Sequence, residues 1–247
     1  MSVEQFKDVK AIVFDVFGTV VDWRSGVSRD AAAFLARHDR QDIDPDDFAD
    51  CWRNHYAPAM EEVNSGRRAF VRLDVLHREN LDKVLIELGI DATSIPRSEL
   101  DELNLAWHRL DPWPDSVQGI QRLKKRFIVA PLSNGNIRLM IDMAKRSRLP
   151  WDAILGAEVA GIYKPMPEAY LRTADILALR PEEICLVAAH NNDLAAARQC
   201  GLRTAFILRA NEHGADQKTD LHPTQDWDII ADSIDDLATK LKTPIPQ

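Results

Sequence analysis

No apolar run in this 247-residue chain is longer than a β-strand needs, so no membrane-spanning helix is expected. Residues 1–10 are mixed polar and charged and lack the pattern of a secretory signal, which makes the cytoplasm the expected location. Cysteine is scarce. Cys51, Cys185 and Cys200 make an odd count with no CxxC and no Cys/His cluster, which argues against a disulfide framework or a zinc site and leaves them as reduced packing residues. A run of Lys and Arg is missing too. At a formal net charge of -8 the chain has no footprint for nucleic acid or an anionic membrane, and any small anion must be drawn by a few cations placed locally. Internal repeats and low-complexity segments are absent, and residues 211–224 read as a polar, mobile loop.

What remains is a composition and length suited to a sizeable core, either one large domain or a core with a smaller partner. Residues 11–14 form a continuous apolar run ended by Asp15 and the Gly18-Thr19 turn pair, the pattern of a strand buried on both faces in a parallel sheet. Similar runs recur at 127–132, 184–189 and 204–208, separated by stretches long enough for crossover helices, which predicts an α/β fold.

Residues 23–110 are too long for one crossover and look helical throughout. Leu81, Val84, Leu85 and Leu88 make an apolar stripe stopped by Gly89; Leu100, Leu103, Trp107 and Leu110 make another. Asp44-Pro45 predicts a helix start ahead of Cys51, Trp52 and Arg53. Pro112 and Pro114 mark the return, with Asp115 as the N-cap of the next helix. The expected division is an α/β core of residues 1–22 and 111–247 with an inserted helical cap of residues 23–110.

In an open parallel sheet, ligands bind beyond the carboxyl ends of the strands. Four polar clusters fall at such positions: Asp15 with Gly18 and Thr19, Ser133-Asn134-Gly135-Asn136, Lys164-Pro165 with Tyr170, and His190-Asn191-Asn192-Asp193. Taken singly these are ambiguous: Asp15 reads equally as a turn-capping carboxylate, and Ser133 and Asn134 as ordinary turn residues.

Taken together, FDVFGTVVDW, PLSNGN, YKP followed by Tyr170, and AAHNND resemble, in order and spacing, the motifs of the haloacid dehalogenase superfamily across nearly the whole chain. The sequence is most similar to the 2-haloacid dehalogenases, because the cap insertion follows the first strand and carries Trp52-Arg53 where that family has its cap arginine. The resemblance implies a Rossmann-like parallel core with an α-helical cap, and a hydrolase that converts short (S)-2-haloacids to (R)-2-hydroxyacids and halide. Asp15 would be the nucleophile and form an ester, with Thr19 positioning it. Lys164 would keep it ionised, since an ammonium beside a carboxylate favours the charged form. Asp193, paired with Lys164, would orient or activate the water that hydrolyses the ester. Arg53 and Asn134 would receive the halide. Ser133 and the backbone amides of Val16 and Phe17 would hold the substrate carboxylate, and Tyr170 would support the lysine. For Arg53 the plainer reading is stacking on Trp52 or solvent exposure.

Two positions separate this chain from phosphatases of similar fold. Where those carry a second Asp, two residues after the nucleophile, stands Phe17; where they carry Gly-Asp before the final acid, to help hold magnesium, stand Ala188-Ala189. A halide leaves without a proton, so Phe17 suits dehalogenation, and no metal or cofactor is expected. The last cluster departs from the dehalogenases as well: Ala188, His190 and Asn192 replace the usual Ser, Asn and neighbouring Trp. His190 reads either as a partner holding Asp193 or the hydrolytic water, or as a satisfied histidine at a strand end. His38, His55, His77 and His108 show no ligand spacing and read as surface or cap packing. Trp52, Trp107 and Trp113 read as pocket lining or as cap core. The alternatives are a phosphatase or phosphonate hydrolase revealed by magnesium dependence, and a non-catalytic anion-binding protein of the same fold. The partner expected is a small anionic 2-haloalkanoate, and the resemblance implies a homodimer.

Overall fold

The computed structural model describes residues 6–243; residues 1–5 and 244–247, assigned above to the core, lie outside the described residues. Strand β1 (Ala11–Phe14) is buried along its whole length and lies between β4 (Ile128–Ser133) and β6 (Ile184–Ala188), parallel to both. Its apolar run without alternation is what two covered faces demand: Ile12 and Phe14 enter one apolar cluster, Ala11 and Val13 the other. With β5 (Leu155–Gly156), β7 (Arg203–Ile207) and β8 (Ile229–Ala231), the order of the six-stranded sheet is β5-β4-β1-β6-β7-β8, every neighbouring pair parallel. This is the α/β fold predicted. Phe14 pairs with Pro131 and Val187, so Asp15 emerges level with the ends of β4 and β6.

A two-stranded antiparallel ribbon, β2 (Val21–Asp22) with β3 (Asp111–Pro112), forms the stem of the helical insertion. Between its strands run α1 (Trp23–Arg37), α2 (Pro45–Asn54), α3 (Tyr56–Asn64), α4 (Leu73–Glu87), α5 (Arg97–Asn104) and a 3-10 segment, Leu105–His108. Local chemistry sets their ends. The Asp44 carboxylate accepts from Asp46 N at 2.8 Å with Pro45 in the first turn, and past α4 Gly89 adopts a φ of 64°. The predicted stripe of α4 is buried at Leu81, Val84 and Leu85 and partly buried at Leu88.

The insertion is also tied to the core by polar contacts. His108 lies between Asp74 Oδ1 and Asp142 Oδ2, 3.0 Å from each, and Asn136 Nδ2 donates to Asp74 Oδ2 at 2.8 Å. Returning to the core, α6 (Ser116–Lys124) follows Asp115, but the expected cap bond is not made. The Asp115 oxygens are committed to Arg209, at 2.8 and 2.9 Å, and to Ile234 N at 2.7 Å, so this carboxylate joins distant segments. Helices α7 (Ile137–Ser147), α8 (Ala157–Ala160), α9 (Pro167–Ile176), α10 (Asn191–Gln199) and α11 (Ile234–Lys240) complete the core. Among the described residues no helix is long and apolar enough to cross a membrane.

Candidate active site

Asp15 leaves the end of β1 with its amide donating to Val187 O at 3.0 Å, which extends the ladder one residue beyond the strand. The turn that follows is fixed from outside: Trp113 Nε1 donates to Gly18 O at 2.8 Å and Arg209 Nε to Thr19 O at 2.9 Å. Thr19 Oγ1 donates to Asp15 Oδ2 at 2.7 Å and accepts from Ala189 N at 2.9 Å, so one hydroxyl links the carboxylate to the end of β6.

Lys164 reaches Asp15 Oδ1 at 2.9 Å and also contacts Asp193 Oδ2, bridging the two carboxylates. Its backbone amide donates to Asn134 Oδ1 at 2.8 Å, and Tyr170 donates to Asp193 Oδ1 at 2.6 Å. Burial opposes charge on Asp15, but Lys164 and His190 outweigh it and hold the acid well below the usual carboxylate range. Lys164 likewise loses hydration, yet its two carboxylate partners hold it well above the ordinary lysine range.

On the other side of Asp15 stands a pair foreseen in part. His190 Nδ1 lies 3.1 Å from Asp15 Oδ2, and Nε2 lies 2.9 Å from Glu212 Oε2. His190 therefore touches Asp15 rather than Asp193, which Lys164 and Tyr170 hold. Although burial disfavours the imidazolium, Glu212 and Asp15 raise His190 well above the ordinary histidine range, so both ring nitrogens donate. Glu212 is 1% exposed; burial pushes its acid up, but His190 and the more distant His213 and Arg53 bring it below its ordinary value. Trp23 Nε1 also donates to Glu212 Oε1, at 3.0 Å. Gly18 makes this pair possible: its φ is 84°, and a Cβ there would lie 2.0 Å from Glu212 Oε1.

Opposite Asp15, α2 brings Arg53 over the ring of Tyr56, with the guanidinium carbon 4.0 Å from the centroid, and 5.3 Å from that of Trp23. Phe17, 2% exposed, meets Tyr56, His77 and Trp107 edge-on. Trp107 stacks on His77 at 4.3 Å, and burial lowers the His77 imidazole to about 3, keeping it neutral. Trp52 and Trp107 are thus fully buried in the aromatic interior of the helical insertion, while Trp113 braces the Gly18 turn. Arg53 Nη1, Trp107 Nε1 and both His77 ring nitrogens are buried without a hydrogen-bond partner.

A cavity of about 320 Å³ separates these two walls and is lined by Asp15, Phe17, Arg53, Asn134, Lys164, His190 and Asp193, among others. That volume suits a substrate of a few heavy atoms. A larger groove of about 710 Å³ runs outside α4 past Arg78 and Leu100 and contains none of these groups. Ser133 sits behind the cavity, fully buried, with its Oγ accepting from Gly135 N at 3.0 Å. Asn134 Nδ2 makes a long 3.5 Å contact with Lys164 O.

Thr19, Lys164 and His190 bond Asp15 directly, Asp193 and Tyr170 follow through Lys164, and Phe17, Arg53 and Asn134 line the same cavity; Val16 adjoins Asp15 in the chain, and Ser133 is one layer back. Glu212 and Asp220 were missed because 211–224 read as loop alone. They follow β7, so the strand-end rule that picked out the other clusters applies to them too. Asp220 Oδ1 accepts from Asn191 N at 2.9 Å and fixes the start of α10. The absence of a Cys/His cluster is corrected as well. Cys51 and His55, four apart, converge with Glu87, because i and i+4 share one helix face.

A family model described as a haloacid dehalogenase-like hydrolase matches residues 9–201. The (S)-2-haloacid dehalogenase 1 of Pseudomonas sp. (strain CBS-3) is 30% identical over 210 residues, covering 83% of this chain and 86% of that protein. The crystal structure of a defluorinating L-2-haloacid dehalogenase superposes with a TM-score of 0.93 at 55% identity, covering 95% of this chain and 96% of the other. Another L-2-haloacid dehalogenase gives 0.89 at 44% identity, covering 95% and 99%. The chain therefore belongs to the haloacid dehalogenase-like hydrolases. Within that class its relatives include several (S)-2-haloacid dehalogenases.

Proposed function

We propose that this protein hydrolyses the carbon–halogen bond of short (S)-2-haloacids, releasing halide and the (R)-2-hydroxyacid through an ester on Asp15. The observation that carries the reading is the Lys164 ammonium bridging Asp15 and Asp193, with Phe17 beside them. A magnesium ion held by the same two carboxylates would need the space the ammonium fills, and the residues that would complete its shell are Ala188 and Ala189. These residues do not fit a divalent ion, and Phe17 offers no proton to a leaving alcohol.

The two Asp15 oxygens have different partners. Oδ2 accepts from Thr19 and His190, whereas Oδ1 accepts from Lys164 alone. Oδ1 is therefore the attacking atom. It displaces halide from C2 with inversion, and the C–X electron pair leaves with the halide. Arg53 and the under-used Asn134 amide receive that charge, and the Val16 and Phe17 amides hold the substrate carboxylate; Ser133, one layer back, acts through the 133–135 turn, its oxygen accepting from Gly135 N, rather than on substrate directly. Water then attacks Asp15 Cγ and gives its proton to Asp193; as the Cγ–Oδ1 bond breaks, that proton passes to Oδ1, which leaves as the hydroxyl of the product. Negative charge grows on Oδ2, where Thr19 and the His190 imidazolium already donate. His190, backed by Glu212, stabilises this oxyanion rather than acting as a base, because a protonated ring has no lone pair to offer.

Residues 23–110 act in this scheme as a cap domain over a core of residues 1–22 and 111–247, since Arg53 comes from one and Asp15 from the other. Free Cys51 and Cys200, both partly exposed, favour a reducing, cytoplasmic setting. A homodimer is proposed on the family resemblance and is checked by sedimentation. The activity is tested by halide release from the (S) and (R) enantiomers of 2-chloropropionate with EDTA or magnesium. Metal-independent turnover of the (S) enantiomer is expected. Turnover of the (R) enantiomer alone refutes the stereochemistry, and magnesium-dependent phosphate release in place of halide release moves the protein to the phosphatases.

A further inference from the structure

We infer that Cys51, His55 and Glu87 form a binding site for a zinc-type divalent cation, at the junction of α2 and α4 and separate from the catalytic cavity. Cys51 lies in the last turn of α2, His55 is the residue that ends that helix, and Glu87 is the last residue of α4. Cys51 Sγ is 3.2 Å from Glu87 Oε2, and His55 Nε2 is 3.0 Å from Glu87 Oε1. One ligand atom from each of the three residues falls within 4.8 Å of the others.

The spacing suits the chemistry. Tetrahedral zinc with bonds of about 2.0–2.3 Å to sulfur, nitrogen and oxygen sets its ligand atoms about 3.3–3.8 Å apart. The two contacts to Glu87, at 3.2 and 3.0 Å, lie just short of that range, all three donors fall within 4.8 Å of one another, and the exposed Glu87 side chain has room to adjust. A thiolate, an imidazole and one carboxylate select zinc or cobalt(II) over magnesium or calcium, which favour oxygen alone. Without a cation, the thiol donates to Glu87. Binding exchanges that proton, released to solvent, for a sulfur–metal bond, and water completes the fourth position.

The site has a structural consequence because Arg53 lies between Cys51 and His55 in sequence and points its guanidinium toward Tyr56. A cation joining the ends of α2 and α4 clamps the segment that presents Arg53. It stabilises the folded protein by mass action, since the unfolded chain does not hold the three donors together.

Cobalt(II) titration of the full-length, EDTA-treated protein tests this, followed by displacement with zinc. Expected are a thiolate-to-cobalt charge-transfer band and tetrahedral visible bands that saturate at one equivalent, bleaching by zinc, and a rise in Tm of several degrees with excess zinc. Cys51→Ser, His55→Gln and Glu87→Gln should each reduce cobalt affinity at least tenfold, and Cys51→Ser should abolish the charge-transfer band. All three should keep wild-type circular dichroism and halide release in EDTA, and Cys200→Ser should titrate as wild type. No band at one equivalent, a band that survives Cys51→Ser, or a band lost in Cys200→Ser overturns the site. Glu87 is exposed enough for its substitution to leave the fold intact, so an unchanged Glu87→Gln titration also counts against the site.

Discussion

The two walls of the cavity are built on opposite principles. On the core side, Asp15, Lys164, Asp193, His190 and Glu212 are all buried or nearly so, and each charge has an opposite charge at hydrogen-bond distance. On the insertion side, Arg53 and Tyr56 line the cavity in front of packed rings, and Arg53 Nη1 is buried without a hydrogen-bond partner. The core wall is set before substrate arrives, whereas the insertion wall keeps an Arg53 donor uncommitted, available to charge that develops during reaction. A dehalogenase needs both, a fixed nucleophile and an unsatisfied receptor for the halide.

Removing the Asp15 carboxylate, the proposed nucleophile, has the largest expected effect. Asp15→Asn should lower halide release by about four orders of magnitude or more, measured with saturating (S)-2-chloropropionate. Substituting His190 leaves the nucleophile but removes a donor from Oδ2. His190→Asn should slow ester hydrolysis by about 10²- to 10³-fold, and mass spectrometry after quenching should find substrate-derived mass accumulating on Asp15. Equal slowing of a first-turnover halide burst, with no accumulation, would deny His190 its place in the second step. On the cap side, Arg53→Met should reduce kcat by about 10²-fold, and by more for a fluoro- than a bromo-substrate, since fluoride concentrates the charge Arg53 meets. An equal loss for both halogens would make Arg53 a packing residue.

The smallest expected effect concerns the contact between the walls. Burial disfavours the His108 imidazolium, but Asp74 and Asp142 more than offset this and raise it above the ordinary 6.5. The folded form thus binds the proton more tightly than the unfolded chain. The resulting stability is full below the unfolded value and is lost as pH rises through the raised one. The Tm deficit of His108→Gln relative to wild type should be larger at about pH 5.5 than at about pH 9, by a few degrees. A deficit that grows toward alkaline pH would reverse that assignment.

Strand run, turn and strand-end polarity made Asp15, Lys164 and Asp193 legible, because a buried parallel strand must be apolar and a polar residue at its end is conspicuous. The helices of the insertion were legible through Asp44-Pro45 and the stripe before Gly89. Glu212 was hidden because its partner His190 is 22 residues away, across α10 and β7, and because residues 211–224 have no periodicity. Its trace lies in Gly18, whose missing Cβ leaves room for the carboxylate, but a glycine in a turn has commoner causes. Asp115 misled for a related reason. Its position before a helix is that of a cap, whereas Arg209 and Ile234, far along the chain, claim its oxygens.

In the proposed mechanism Asp15 is alkylated and water attacks its carboxyl carbon. Single turnover in ¹⁸O-labelled water, with enzyme in excess over substrate, tests it most directly. The mechanism predicts ¹⁸O in the Asp15 peptide and unlabelled 2-hydroxyacid. Label in the 2-hydroxyacid with an unlabelled Asp15 peptide would show that water displaces halide directly and would contradict the covalent mechanism.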